Sequence, residues 1–347
     1  MKAHTRLSVL DQTPVITGHT VADAVAATVE LAQLADELGY TRYWCAEHHG
    51  LQGVANPAPE VMLARLGAAT RRIRIGSGGV MLPYYSPFKI AEQFLMLEAL
   101  FPGRVDLGVG RAPGGDLRTA QAVAAGDYNR GEFFPQQVAE LVALLSGDGG
   151  LPEDHPAHGV LLQPAVATRP ELWMLGSSDF GGALAARVGI RFAFAHFINP
   201  QYGHAVAKMY REQFVSGFGE RPYCAVALFV ICADTERAAA ELAAAVDLRR
   251  VQMASGINAT IPSIEQARAH FERGGLGERE RGVIESERSR SIIGTPERVT
   301  ERMLALQEQF EADEIVVLTV AGSYAARLRS YELLAEAFAL NANAQMQ

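Results

Sequence analysis

The sequence predicts an α/β protein that folds as a (β/α)8 barrel, also called a TIM barrel. Short β-branched or aromatic runs alternate with longer segments of helical periodicity along the 347 residues, and strands that alternate with helices build a parallel sheet. Eight such repeats at this length fit a closed barrel. A doubly wound open sheet is the alternative, but no GxGxxG motif opens a helix after the first strand.

Apolar runs assign the strands, while apolar spacing and end signals assign the helices. Thr20 suits the N-cap of the first helix, and Gly39 is typical of the position just past a helix end. The predicted strands are residues 7–10, 42–47, 73–82, 104–110, 172–176, 191–195, 225–233 and 314–320. The predicted helices are residues 20–39, 59–70, 87–100, 131–146, 179–189, 200–216, 235–246, a segment from 295 onward, and 324–340.

One segment departs from this alternation. Residues 271–290, between the seventh strand and the helix that begins at Thr295, are charged and glycine-rich. We therefore expect a single barrel domain over residues 1–347, with an insertion at 246–293. The insertion is either a solvated excursion or a mobile lid over the barrel mouth, because long loops in compact domains are often lids.

Composition excludes several classes of protein. The net charge of −8 disfavours a nucleic-acid surface or an anionic membrane as partner. The three cysteines show no CxxC spacing and indicate reduced thiols, and the longest apolar run, 223–233, is too short for a membrane-spanning helix. No signal peptide is evident at the N-terminus. We expect a soluble cytoplasmic protein.

The stretch YWCAEHHGLQG, residues 43–53, places Glu47, His48 and His49 at the end of the second strand. In a barrel, the active site lies at these strand ends. The three side chains could be metal ligands, together with His196 and Asp234, or an acid/base group, or a hydrogen-bonded cluster. Adjacent strand residues point to opposite faces, so a simple shared metal centre is disfavoured.

Two further strand ends suggest a bound anion and a flat ligand. Arg111 follows the fourth strand, and the hydroxyls of Ser177 and Ser178 open the helix after the fifth. Helix N-termini attract anions, so these residues form a candidate phosphate site, although a salt-bridged arginine and a plain N-cap would look the same. The glycines in GSGG, residues 76–79, indicate either a ligand against bare backbone or a tight bend.

Several motifs taken together resemble a known family. They are WCAEHHG, the run NPAPEVMLARLGAATRRIRIGSGGVMLPYYSPFKIAEQFLMLEALFPGRVDLGVGRAPGGD, LGSS, IIGTPERVTERM and ADEIVVL. The chain resembles the bacterial luciferase-like family of flavin-dependent monooxygenases over most of its length, outside residues 246–290.

The resemblance implies a barrel that binds reduced FMN (FMNH2) at the strand ends and oxygenates a small organic substrate with O2 through a C4a-peroxyflavin. It gives the catalytic role to His48 and a non-prolyl cis peptide beneath the flavin to Gly78 and Gly79. It gives the phosphate to Arg111 and to the residues that open the following helix, Gly176, Ser177 and Ser178. Tyr84, Tyr85 and Phe180 are weaker candidates for the substrate pocket.

The family also implies partners. FMNH2 would come from a separate NAD(P)H:flavin reductase, and the barrels commonly pair as homodimers. Two departures stand out, because Gly110 replaces the reactive cysteine of luciferases and Phe180 replaces a hydroxyl residue. The first departure disfavours light emission and a long-chain aldehyde substrate, and the second implies that the phosphate is held more loosely or by a different set of contacts. The alternatives are an F420-dependent hydride-transfer oxidoreductase on the same barrel, a non-catalytic flavin-binding protein, and a metal hydrolase built on Glu47 and His48.

Overall fold

A computed structural model of the chain describes residues 5–111, 116–126, 129–146, 150–274 and 276–340. The described residues form β1 (Arg6–Asp11), β2 (Arg42–Cys45), β3 (Arg74–Ser77), β4 (Val80–Met81), β5 (Val105–Gly110), β6 (Glu171–Gly176), β7 (Arg191–Ala195), β8 (Cys224–Cys232), β9 (Ser291–Gly294) and β10 (Glu314–Leu318). The helices are α1 (Val21–Leu38), α2 (Pro59–Ala69), α3 (Pro87–Leu100), α4 (Leu117–Val123), α5 (Phe134–Ser146), α6 (Asp179–Val188), α7 (Gly203–Glu212), α8 (Glu236–Ala254), α9 (Ile264–Arg273), α10 (Glu278–Ser289), α11 (Pro296–Gln309) and α12 (Tyr324–Ala337).

The predicted closed barrel is confirmed. The strands follow the order β10-β1-β2-β3-β5-β6-β7-β8, and a parallel pairing of β10 with β8 closes the ring. All eight predicted strands are present in this ring, so the open-sheet alternative is wrong. The end signals of the first helix are also correct, since Thr20 caps α1 and Gly39 adopts the left-handed conformation after it.

The structure departs from the predicted strands in two places. The third predicted strand, 73–82, is divided at Gly78 and Gly79 into β3 and β4, and β4 pairs with β5. β9 lies outside the predicted set. β9 pairs with the outer end of β8, where Phe229 contacts both Leu318 of β10 and Ser291 of β9. Because these two partners occupy opposite sides of β8, β9 takes the side of β7, beyond the point where β7 ends. β8 therefore rises above the barrel.

Charged and aromatic side chains fill the half of the barrel at the strand N-termini. Arg42 is buried there and forms ion pairs with Asp106, Glu314 and Glu171. Above this layer, the indole rings of Trp44 and Trp173 meet edge to face with centroids 4.9 Å apart. This packing closes one end of the barrel, so a ligand can enter only at the strand C-termini.

The insertion is more regular than its composition suggests. Residues 246–293 comprise the second half of α8, α9, α10 and the start of β9. The charged stretch forms α10, which has no buried residue and is tied to α8 by an ion pair from Arg288 to Asp247. The segment is thus a solvated helical excursion, and its motion as a lid stays a prediction. Within the described residues, no helix is both long and apolar enough to cross a membrane.

Candidate active site

The predicted site residues all lie at the open end of the barrel. His48 follows β2, Gly78 and Gly79 separate β3 from β4, and Arg111 follows β5. Gly176 ends β6, and Ser177 and Ser178 lead into α6. Parallel strands in a closed ring put all of these positions on one rim, as the sequence predicted.

His48 lies in the loop that follows β2 and has an unpartnered ring nitrogen. Its backbone N–H donates to the carbonyl of Asn56 at 3.1 Å, and the Asn56 amide donates to the carbonyl of Ala46 at 3.1 Å. Its Nδ1 is buried and has no hydrogen-bond partner among the described residues. Burial, together with the neighbouring His49, lowers the pKa of His48 to about 4, so the ring is neutral at pH 7. A neutral imidazole with a free nitrogen can accept or donate one hydrogen bond.

Glu47 ties together three segments of the rim. Its side chain is 2 % exposed and accepts hydrogen bonds from His49 Nε2 at 2.7 Å, Tyr85 Oη at 2.6 Å and Met81 N at 2.9 Å. Burial, followed by the hydrogen bond to Glu47, raises the pKa of Tyr85, so its hydroxyl remains a donor. The carboxylate faces the segment after β3, and Glu47 with His49 forms the hydrogen-bonded cluster that was one of the alternatives left open by the sequence.

A wall of glycines adjoins this rim. The peptide bond between Gly78 and Gly79 is cis, as the resemblance implies. A Cβ at Gly78 would lie 2.5 Å from Leu10 Cδ1, and one at Gly79 would lie 2.8 Å from the carbonyl oxygen of Gly108. Neither position has room for a side chain, so packing against the protein itself requires glycine there. Packing therefore accounts for the glycines of GSGG at this break in the strand, and a flat ligand against the bare backbone stays a prediction.

The candidate phosphate site is assembled across β5 and β6. The guanidinium carbon of Arg111 lies 4.2 Å from the ring centroid of Phe180, in the first turn of α6. Arg111 is exposed, and the described part of the chain offers it no carboxylate partner. Ser178 is the N-cap of α6 but its side chain caps no backbone N–H. A stacked cation beside an open helix N-terminus is a suitable cradle for a phosphate.

The three weaker pocket candidates have different surroundings. Tyr84 is buried beside Met81 and Ala120, whereas Tyr85 is half-buried and bonded to Glu47. The ring of Phe180 stacks against the guanidinium of Arg111. A hydroxyl residue that lacks an aromatic ring could not make that contact. Their roles toward a substrate stay predictions.

The proposed companions of a metal site lie elsewhere. His196 is buried against Phe310, the C-cap residue of α11, with ring centroids 6.0 Å apart. Asp234 forms an ion pair with Arg329. Among the described residues, no group of three or more His, Cys, Asp or Glu side chains is arranged to hold a metal ion. Sequence reasoning missed Asn56, for which the only signal was an Asn-Pro pair soon after the EHH motif.

A family model described as luciferase-like monooxygenase matches residues 5–311. The chain belongs to the luciferase-like monooxygenase family. It is 44% identical over 333 residues to the uncharacterized protein YceB of Bacillus subtilis (strain 168), covering 96% of this chain and 99% of that protein. It is 37% identical over 334 residues to the N-acetyl-S-alkylcysteine monooxygenase of the same strain, covering 96% and 98% of the two chains.

Three solved structures share the fold of this chain. Apo-MsnO8 is 37% identical, with a TM-score of 0.89 over 97% of this chain and 99% of that chain. The oxygenating constituent of 3,6-diketocamphane monooxygenase from Pseudomonas putida, solved with FMN, is 19% identical with a TM-score of 0.68, covering 96% and 98%. An F420-dependent secondary alcohol dehydrogenase is 13% identical with a TM-score of 0.67, covering 97% and 99%. Because the last two structures are less than 25% identical to the chain, their similarity establishes only a shared fold.

Proposed function

We propose that the protein is a flavin-dependent monooxygenase that uses reduced FMN and O2 to oxygenate a small organic substrate. Family membership supports an oxidoreductase of the monooxygenase type. The observation that carries the proposal is the His48 ring. It is neutral at pH 7 and half-buried, and its shielded Nδ1 has no partner among the described residues, on the rim where the family binds its cofactor.

The residues of the rim fit FMN. Gly78 and Gly79 present bare backbone to a flat ring, and Arg111 on Phe180 presents a cation to a phosphate. Gly176, Ser177 and Ser178 would contribute the N-terminus of α6. Bound reduced FMN would supply the two electrons that activate O2, so that one atom of O2 goes to the substrate and the other leaves as water.

The chain itself would position this chemistry. His48 would hold or move a proton at Nδ1, since a neutral imidazole is suited to that role near pH 7. Asn56 holds the backbone at Ala46 and His48, and the Glu47 carboxylate anchors the residue between them to Met81. The buried tryptophan layer excludes water from below. A separate NAD(P)H:flavin reductase would deliver FMNH2, and the protein would act as a homodimer.

The substitution His48→Ala tests the assignment. Oxidised FMN binding, followed by flavin fluorescence, should stay within about threefold of wild type, because the cradle at Arg111 is intact. Product formation with FMN, NADH and a flavin reductase should fall about 100-fold or more, the range of general acid–base catalysis. Incorporation of one atom from 18O2, followed by mass spectrometry, identifies the product. The relative named for N-acetyl-S-alkylcysteines makes these thioethers the first substrates to supply.

A matched control is His204→Ala on α7, where the histidine is exposed. It should leave turnover unchanged. Full turnover by His48→Ala would refute the role of His48. Tight F420 binding and anaerobic hydride transfer would instead favour the F420-dependent oxidoreductase, the alternative that the dehydrogenase of the same fold suggests. If the protein binds flavin but forms no product from any of the thioethers or other small organic molecules tested, it would be a non-catalytic flavin-binding protein.

A further inference from the structure

Arg249 is a buried cation without a counterion. Its side chain lies on α8 and the residue is 6 % exposed. In the described part of the chain it makes one hydrogen bond, from Nη1 to the carbonyl of Ile257 at 3.4 Å. No carboxylate among the described residues forms an ion pair with it. A guanidinium has five N–H donors, so most of its capacity is left for something else.

The other buried arginines of the described residues are compensated. Arg42 has three carboxylate partners, and Arg327 donates to Asp11 at 2.6 Å. Burying a charge without a partner is strongly unfavourable, and proteins accept it mainly where a ligand supplies the missing charge. Arg249 therefore differs from them in kind, since one long bond to a carbonyl does not neutralise it.

The side chain points toward the mouth of the barrel. Leu242, Val246 and Arg249 recur at helical spacing on one face of α8. Leu242 and Val246 belong to the apolar cluster that also contains Leu10 and Ala46 of the barrel interior. The neighbouring Leu248 faces α9 instead, where it packs on Ala267. Arg249 thus prolongs the face of α8 that covers the mouth.

The guanidinium also touches the loop that carries His48. A Cβ at Gly53 would lie 3.0 Å from Arg249 Nη2 and 3.0 Å from the carbonyl of Ala259. The Gly53 carbonyl accepts from Val15 N at 3.0 Å, which places the contact beside the end of β1. His48 and Gly53 both lie between β2 and α2, so Arg249 packs against the loop that carries the candidate catalytic histidine.

Arg249 and Arg111 lie on different parts of the barrel rim. Arg111 follows β5, whereas Arg249 contacts the loops that follow β1 and β2. In the ring order, β1 is separated from β5 by β2 and β3 on one side, and by β10, β8, β7 and β6 on the other. A cofactor whose phosphate is held at Arg111 would therefore leave Arg249 free for a second anion.

We infer that Arg249 binds the carboxylate of the substrate, so that the enzyme acts on small organic acids rather than on neutral molecules. The inference rests on the proposed function, because only an enzyme has a substrate. The binding of a carboxylate at Arg249 can be measured without turnover. It agrees with the relative that is named for N-acetyl-S-alkylcysteines, each of which carries a carboxylate.

The test is equilibrium binding by isothermal titration calorimetry, with oxidised FMN present and no reductant. The probes are N-acetyl-S-methylcysteine, N-acetyl-S-benzylcysteine and benzoate, each against its methyl ester. Wild type should bind at least one acid more tightly than its ester by about 10-fold or more, the contribution of hydrogen bonds to a charged group. Arg249→Gln should remove that preference, and Arg249→Lys should restore part of it because it keeps the charge.

The control is Arg237→Gln, on the same helix, whose side chain is 89% exposed and should not affect binding. Equal binding of acids and esters by wild type, or binding of none of the three acids, would overturn the inference, even if Arg249→Gln fails to fold. So would an unchanged preference in a folded Arg249→Gln. Acid-selective binding without oxygenation would sink the proposed monooxygenase and leave the anion site. Oxygenation of acid and ester at equal rates would support the proposed monooxygenase and would overturn the carboxylate site at Arg249.

Discussion

Replacement of Glu47 by alanine is expected to destabilise the rim of the barrel strongly. The carboxylate is buried and accepts three hydrogen bonds, from His49, Tyr85 and the backbone of Met81, at 2.6 to 2.9 Å. A hydrogen bond to a carboxylate contributes about 1.5–3 kcal/mol, and a buried N–H left without an acceptor adds to the loss. Partial relaxation and entry of water offset some of this. We expect the free energy of unfolding to fall by about 3–5 kcal/mol, a large share of the roughly 5–15 kcal/mol of a typical domain.

The assay is urea unfolding followed by circular dichroism, with turnover measured on the fraction that stays folded. Tyr85→Phe removes only one of the three donors and should cost about 1–2 kcal/mol. Glu92→Ala is the control, because its ion pair with Lys89 is exposed and worth little, about 0.5 kcal/mol at most. A loss below about 1 kcal/mol in Glu47→Ala would show that the carboxylate does not hold the rim, and the reasoning from the three bonds would be refuted.

Two further predictions concern charge. The pKa of His48 is about 4 in the folded protein against an ordinary value of 6.5, so between those values only the unfolded chain binds this proton. Stability should therefore decline as pH falls from 6.5 to about 4, by up to about 3 kcal/mol, and unfolding titrations of His48→Gln should lack that part of the slope. Arg111→Gln should weaken FMN binding about 10- to 100-fold and riboflavin binding less than about threefold, since only FMN has the phosphate; fluorescence titration showing equal losses would contradict the phosphate role.

Local sequence signals predicted the architecture well, for an identifiable reason. Helix ends depend on the residues that form them, as Thr20 and Gly39 show at the two ends of α1. Strand ends in a parallel barrel meet on one rim, so the order of motifs was enough to gather His48, Gly78 and Arg111 into one site. The departures have a physical cause too. β9 was missed because its four residues form a strand only by pairing with β8, about sixty residues earlier in the chain.

α10 was described from its composition as a charged and glycine-rich excursion, and its helical form was not predicted. No residue of this helix is buried, so it shows no apolar stripe by which the helix could be recognised. Its order comes from specific polar contacts, such as Glu280 accepting from the backbone N–H of Gly277 at 2.8 Å and Arg288 bonding to Asp247. Such contacts cannot be read from periodicity.

The sequence by itself determined which residues occupy the rim, because alternation of strands and helices sets the ring and each motif follows a strand. Only the tertiary structure decided which residues form hydrogen bonds and ion pairs with one another. Glu47 meets Tyr85 across 38 positions and Arg327 meets Asp11 across 316, whereas Arg249 meets no carboxylate among the described residues. A side chain's partners come from segments that folding brings together. Whether a buried arginine has a carboxylate partner is therefore decided by the fold and not by its neighbours in the sequence.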